Sequence, residues 1–319
     1  MDILQLAEMI LVPGILFLIL LGFFFEWLDR KFYARLQNRY GPLHTGFAGM
    51  LQPLADFVKL LAKEDIEPEA VDKTTFRATP ILLLAIPLLA ALFVPMIDMK
   101  AVISFEGDLV FVVFLIAMYA VGVFLAAWSS TSPYSTVGGV RAAFQLLGFE
   151  IPLTIALFTP AIKAASLSIS GIASWQAENL PFVLLQPVGF GVTILCLLAE
   201  LEQVPFDIPE AKTEIVGGWQ TEFSGRKLAL LRLSADIELV LAASLATAVF
   251  LGGPSGPWPI PPIVWFLVKA IVVVFIFSNL RALFARFRID QMVHGNWKYL
   301  VPLVLLQVVV VELLPYLSW

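Results

Sequence analysis

The chain has 319 residues, 60% apolar and only 14% charged, with a formal net charge of −5 at neutral pH. A soluble domain carries about 25% charged residues, so the composition excludes a water-soluble globule and points to a polytopic membrane protein. One cysteine, Cys196, and two histidines, His44 and His294, supply no thiolate set for zinc or iron–sulfur and no histidine pair at haem-like spacing. If the protein serves redox chemistry, the electron carriers belong to partners.

A membrane span needs roughly 20 apolar residues. Eight runs qualify, at 10–25, 81–97, 109–128, 142–162, 182–199, 228–251, 263–283 and 299–317. The start shows no cleavable-signal pattern, so the first run is expected to be a retained span. Positive residues test the count, because Lys and Arg gather in cytoplasmic connections. Of the 20 Lys and Arg, 17 fall in or next to the odd-numbered connections. The expected fold is therefore all-α, with eight transmembrane helices and both termini extracytoplasmic, forming a single transmembrane domain over 1–319.

The first cytoplasmic connection, 29–78, opens with Arg30, Lys31, Arg35 and Arg39. These are either snorkelling residues or a face that docks an acidic partner. Within it, residues 47–63 (FAGMLQPLADFVKLLAK) repeat apolar side chains at helical spacing, with Asp56, Lys59 and Lys63 opposite. Such a helix lies in the interface plane. It either caps its own bundle or stands beside a lateral opening to lipid. The KEDIEPEAVDK segment that follows is solvated or faces a partner, and the Pro/Gly-rich 252–262 is an external turn.

The densest chemistry lies at 195–225 (LCLLAELEQVPFDIPEAKTEIVGGWQTEFSG), where Glu200, Glu202, Asp207, Glu210, Glu214 and Glu222 face one basic residue, Lys212. Pro205 and Pro209 each lack an N–H and clash one turn back. This predicts a broken acidic loop, 199–227, between spans five and six. Glu150, beside Pro152, and Asp236 and Glu238 lie inside apolar runs, where a charge costs about 2.5–3.5 kcal/mol. Either each acid pairs with an arginine such as Arg141, Arg232 or Arg281, or the set lines a wet space as a proton relay.

Five ordered segments resemble the H-type membrane-anchor subunit of respiratory complex I and its relatives. They are DRKFYARLQNRYGP at 29–42, GMLQPLADFVKLLAKE at 49–64, SSTSPYSTVGGVRAAFQLLGFEIP at 129–152, AELEQVPFDIPEAKTEIVGGWQTEFSG at 199–225, and the FRIDQMVHGNWKYLVPL stretch. Leu43, Pro133, Gln203, Lys212 and Asp236 stand where the family usually carries other residues. The resemblance implies a quinone chamber at the junction between membrane and peripheral arm, with Arg30, Gln37, Arg39, Gln52, Asp56 and Arg141 among its residues. Glu150, Glu200, Glu202, Asp207, Glu210, Glu214, Glu222, Asp236 and Glu238 are then the coupling acids.

The same resemblance implies no cofactor held by this chain and no catalytic or metal-binding residue. Quinone is expected at the interface and an iron–sulfur cluster in a partner. Expected partners are peripheral-arm subunits (49 kDa-type or hydrogenase-large-like, and iron–sulfur small-subunit-like), small membrane subunits, antiporter-like subunits and the lipid of a plasma membrane, with no nucleic acid. Related membrane-bound hydrogenases, sulfane-sulfur reductases and deazaflavin-dependent dehydrogenases use the same type of anchor. Two rival readings are a free-standing secondary ion transporter and a purely structural anchor.

Overall fold

The computed structural model describes residues 14–317, in which the regular elements are helices and no strand occurs. Residues 10–13 of the first expected span, and both chain termini, lie outside the described residues. In chain order the helices are α1 (Ile15–Leu36), α2 (Gln52–Leu61), α3 (Lys73–Ala91), α4 (Asp108–Ser129), α5 (Pro133–Ala164), α6 (Ile169–Glu178), α7 (Phe182–Leu185), α8 (Pro187–Glu200), α9 (Gly225–Phe250), α10 (Pro262–Leu283), α11 (Ile289–Gly295) and α12 (Val301–Leu317). Six helical stretches are long and apolar enough to cross a membrane. The chain is a polytopic all-α membrane protein.

Helix α9 is the axis of the bundle. It packs against α3, α1, α10, α2 and α6, and nearly every residue from Ile237 to Phe250 is buried. Sequence explains this: Ala242, Ala243, Ser244, Ala246, Thr247 and Ala248 present small side chains on several faces, which let neighbouring backbones approach closely. Ser244 and Thr247 donate their hydroxyls back to Leu241 and Ala243 carbonyls at 3.0 and 2.7 Å, so neither needs water. On α1, Gly22 performs the same service. A Cβ there would meet Ile237 at 3.1 Å and Asp236 at 3.5 Å.

The structure corrects several sequence expectations. The run 182–199 is not one helix, because the chain turns at Gln186 (φ −136°, ψ 58°) before Pro187. Proline disfavours α geometry in the residue before it. Gln186 is buried there and donates to the Thr159 carbonyl at 3.4 Å. Helix α5 begins at Pro133, well before residue 142, since proline suits the first helical position. Helix α3 starts at Lys73 and ends at Ala91, displaced from 81–97; the Asp72 carboxylate caps it by accepting from Thr74 N–H.

Helix α6, in a serine-rich segment, has no counterpart among the expected elements. Buried Asp108 organises it, accepting from Ile169 N–H at 2.6 Å and Ser168 Oγ at 3.1 Å. The amphipathic helix is shorter than 47–63: only Gln52–Leu61 is α-helical, after a 3-10 turn at Phe47–Gly49.

Asp29 ties α1 to α10. It is 1% exposed, and accepts from Ser278 Oγ and from Arg281 Nη1, each at 2.7 Å. Arg281 also lies 4.4 Å from the Tyr33 ring centroid. Removing one partner of a buried ion pair leaves an uncompensated charge, at a cost of about 3–5 kcal/mol. Arg281→Ala is therefore expected to lower the unfolding midpoint in detergent sharply. An unchanged midpoint would show that Asp29 finds water instead.

Candidate functional site

A cavity of about 480 Å³ opens between α1, α2, α9 and the loop after α8. Its walls are Glu26 and Arg30 of α1, Asp56 of α2, Glu202, Asp207 and Glu210 of the loop, Arg232 and Asp236 of α9, and Arg281 of α10. Arg30 is fixed between two carboxylates, with Nε 2.5 Å from Glu26 and Nη1 2.8 Å from Asp56. Gln52 holds the other Asp56 oxygen at 2.7 Å. Lys212 and Gln203 of the loop also line it, with apolar side chains that include Pro53, Phe57, Leu60, Leu201 and Leu239. Asp236 forms no ion pair among the described residues.

The acidic loop is held in place by backbone contacts. Gln145 of α5 donates to the carbonyls of Ala199 (2.6 Å) and Phe206 (2.9 Å), joining the end of α8 to the far side of Glu202. Glu202 itself has φ +51°, a left-handed conformation that costs a non-glycine residue on the order of 1 kcal/mol. Its Oε2 accepts from the buried Trp219 indole at 2.9 Å. Burial, then the charge of Glu210, push the Glu202 carboxyl up to about 8, with the indole hydrogen bond opposing them.

Glu202 also lines a second, smaller space of about 20 Å³ with Tyr119, Gln145 and Glu200. That is room for about one water molecule. Beyond it lie Ser234, whose hydroxyl is 3.4 Å from Tyr119 and donates to Leu83 O at 2.7 Å, and Glu238, whose Oε1 is buried with no hydrogen-bond partner among the described residues. Glu202 thus belongs to the walls of both spaces.

A model of the family described as NADH dehydrogenase matches residues 8–312. The chain belongs to that family. Among its relatives, the second NADH-quinone oxidoreductase H chain of Syntrophobacter fumaroxidans is 36% identical over 314 residues, covering 96% of this chain and 94% of that one. The corresponding NADH-quinone oxidoreductase H chain of Dehalococcoides mccartyi is 37% identical over 294 residues, covering 92% and 82%. The first such chain of Geobacter metallireducens is 37% identical over 294 residues, with 88% of each covered.

Within this family member, the residues expected from sequence fall into separate groups. Arg30, Asp56, Glu202, Asp207, Glu210 and Asp236 line the chamber, and Gln52 orients Asp56 behind them. Glu200 and Glu202 line the smaller space, and Glu238 is buried outside its lining. Glu214 lies apart, clamped by Arg141 at 2.8 Å and Arg286 at 2.9 Å, and the Arg141 hydrogen bond holds its carboxyl below the usual range. Glu214 and Arg141, expected in different roles, are partners. Glu210 accepts from Gln220 at 2.7 Å.

Gln37 and Arg39 are exposed and bond to each other at 2.9 Å, away from the chamber. Glu222 and Glu150 are half-buried and line neither space. Three residues of the site do not stand out in the sequence. Glu26 sits at the edge of an apolar run. Trp219 and Tyr119 read as ordinary aromatic residues. Arg281, a candidate partner for a span acid, pairs with Asp29.

The loop's far end is anchored by charge. Lys227 reaches Asp65 at 2.7 Å and Glu67 at 2.8 Å, and Arg77 reaches Glu67 at 2.7 Å. Hydrogen bonds from Arg77 first, and Lys227 second, hold the Glu67 carboxyl down to about 2. A depressed carboxylate stabilises the fold fully above its ordinary value near 4.5, and that contribution is lost as pH falls towards 2. Hydrogen exchange at the Ile66 amide, which donates to Ser224 Oγ at 2.9 Å, is expected to accelerate over that window after correction for intrinsic rate. Glu67→Gln should remove the pH step.

Proposed function

We propose that this chain is the H-type membrane subunit of a complex-I-like oxidoreductase that couples electron transfer to ion translocation. The reading rests on the double placement of Glu202, in the wall of an open charged chamber and of a water-sized space that it shares with Tyr119 and Glu200. In this reading the six membrane-length helical stretches are joined by α1 and by the broken α7–α8 pair, which makes eight spans in one domain. Arg30, Lys31 and the acidic loop face the cytoplasm, and both termini face outward across a plasma membrane.

The chamber suits an amphipathic acceptor such as a quinone. Its volume of about 480 Å³ is within the roughly 300–1,000 Å³ usual for small-molecule sites. Arg30 and Asp56 can hydrogen-bond a carbonyl or hydroxyl headgroup, while Phe57, Leu60 and Leu239 offer apolar contact to a tail. The electrons would be supplied by an iron–sulfur cluster held in a peripheral-arm subunit. Reduction draws protons to the chamber, changing the charge seen by Asp236 and Glu202. Glu202 takes or releases its proton near neutral pH, and Glu200 and Glu238 pass the change inward to small membrane and antiporter-like subunits.

Affinity purification of the chain from its native membrane tests this. The expected product is a multi-subunit complex containing an iron–sulfur protein and able to reduce a short-chain quinone. The isolated chain in liposomes is expected to exchange neither H⁺ nor Na⁺. Exchange by the isolated chain would overturn the reading in favour of a secondary transporter, and nickel-ligating cysteines in the co-purified large subunit would assign the complex to the hydrogenase-like branch.

A further inference from the structure

Helix α5 continues through Pro152. Proline has no N–H, so the carbonyl one turn earlier, that of Gly148, has lost its helical donor. Hydrocarbon offers no replacement, and an unpaired backbone group there is costly. The donor comes instead from the other end of the chain. Asn296 opens a π turn, Asn296–Leu300, just before α12. Its side chain is buried, and Nδ2 donates to Gly148 O at 3.1 Å. Glycine makes this approach possible, because a Cβ at 148 would stand 2.9 Å from Met292 Sδ and 3.4 Å from Val293 Cγ2.

The same pairing joins α3 to α9. Pro87 frees the Leu83 carbonyl, and Ser234 Oγ donates to it at 2.7 Å. Each of these prolines turns an acceptor within one helix into a docking point for another. Trp297 is the contrast. Its Nε1 donates to Leu147 O at 3.2 Å, but that carbonyl keeps a helical donor, since Ile151 carries an N–H. Of the two contacts, the Asn296 amide alone fills a vacancy left by proline.

The part of α5 that Asn296 grips is the part that carries the acidic loop. Gln145, three residues before Gly148, donates to the Ala199 and Phe206 carbonyls on either side of Glu202. Arg141 pairs with Glu214, and Gly138 lies against the backbone of Trp219. We propose that Asn296 is a positioning residue for the acidic loop: its amide, seated on the carbonyl freed by Pro152, fixes the loop-bearing half of α5 and so the place of Gln145 beneath Glu202. Its weight for coupling rests on the relay role proposed for Glu202, and two separate readouts keep these roles apart.

In the assembled complex, hydrogen exchange of peptides covering 199–223 reads the loop, and ions moved per quinone reduced reads coupling. Asn296→Leu keeps the branching of the side chain without a donor. It is expected to speed loop exchange about tenfold, the effect of one buried acceptor left unpaired. Pro152→Ala gives Gly148 O a helical N–H again, so the double variant Asn296→Leu/Pro152→Ala should return to within about twofold of the parent. Trp297→Phe, which leaves no carbonyl unpaired, should stay within about the same twofold. Should Asn296→Leu fail to assemble, adding Pro152→Ala is expected to restore assembly. Parent-like loop exchange in Asn296→Leu, no rescue by Pro152→Ala, or an equal effect from Trp297→Phe would each overturn the positioning role. Loop exchange that rises and is rescued, with coupling constant throughout, would uphold that role and count against Glu202 as a relay.

Discussion

Glu202→Gln is expected to lower redox-driven ion translocation in sealed vesicles by about tenfold or more, because a positioned proton-transfer group contributes about 10²–10⁴-fold. The substitution keeps the shape and an oxygen to accept the Trp219 indole hydrogen bond of 2.9 Å, so lost activity reports lost ionisation. In the unsubstituted protein this carboxyl is protonated below about 8 and charged above it. The pH–rate profile should therefore carry a limb centred there, and an infrared carboxyl C=O band should fade over the same interval. Both are expected to be absent in Glu202→Gln.

The linked stability effect has a definite sign. The native state binds this proton more tightly than the unfolded chain does, so the contribution of Glu202 to stability declines as pH rises from the ordinary value near 4.5 to about 8. Trp219→Phe, which deletes a hydrogen bond that favours the charged form, should move the limb upward. A profile identical in Glu202→Gln and the parent would refute the relay role.

Gly138→Leu is expected to displace the acidic loop. A Cβ on Gly138 would stand 2.6 Å from Trp219 N, and 2.9 Å from both Gly218 C and Pro209 O. All three neighbours are backbone, so no side chain can rotate away. Overpacking of this kind costs about 1–3 kcal/mol or more. The larger consequence is functional, since the same shift carries Trp219 away from Glu202. Coupled activity should fall while the chain still inserts, and protease cleavage within 205–223 should rise. Gly191→Ala is the control, because a Cβ there meets nothing within 4 Å. Normal coupling in Gly138→Leu would mean that the loop does not need its seat on α5.

Much of the fold is legible in the sequence because hydrocarbon imposes simple rules. Runs 109–128, 228–251 and 263–283 agree with α4, α9 and α10 to within a few residues. The acidic loop is visible from Pro205, Pro209 and its carboxylates. Less legible are elements set by distant partners. Helix α6 depends on Asp108, sixty-one residues before Ile169, and the break at Gln186 uses a carbonyl on α5. The acids look alike along the chain, yet Glu214 is clamped by two arginines while Glu238 keeps a buried oxygen with no partner among the described residues.

Composition and order of residues by themselves determined that this is a helical membrane protein with a carboxylate-rich break, and the order of its motifs marked its family. Those properties follow from local chemistry: apolar runs long enough to span, prolines that end helices, and acids too dense to be accidental. Only the tertiary structure decided which acids share a space, because packing of α1, α2, α5 and α9 brings together residues far apart in the chain. It put Glu202 between two cavities and paired Arg141 with Glu214. Desolvation and charge pairing depend on three-dimensional neighbours, so no reading along the chain could separate the Glu202 carboxyl, which burial pushes up to about 8, from the Glu214 carboxyl, which Arg141 holds below the usual range.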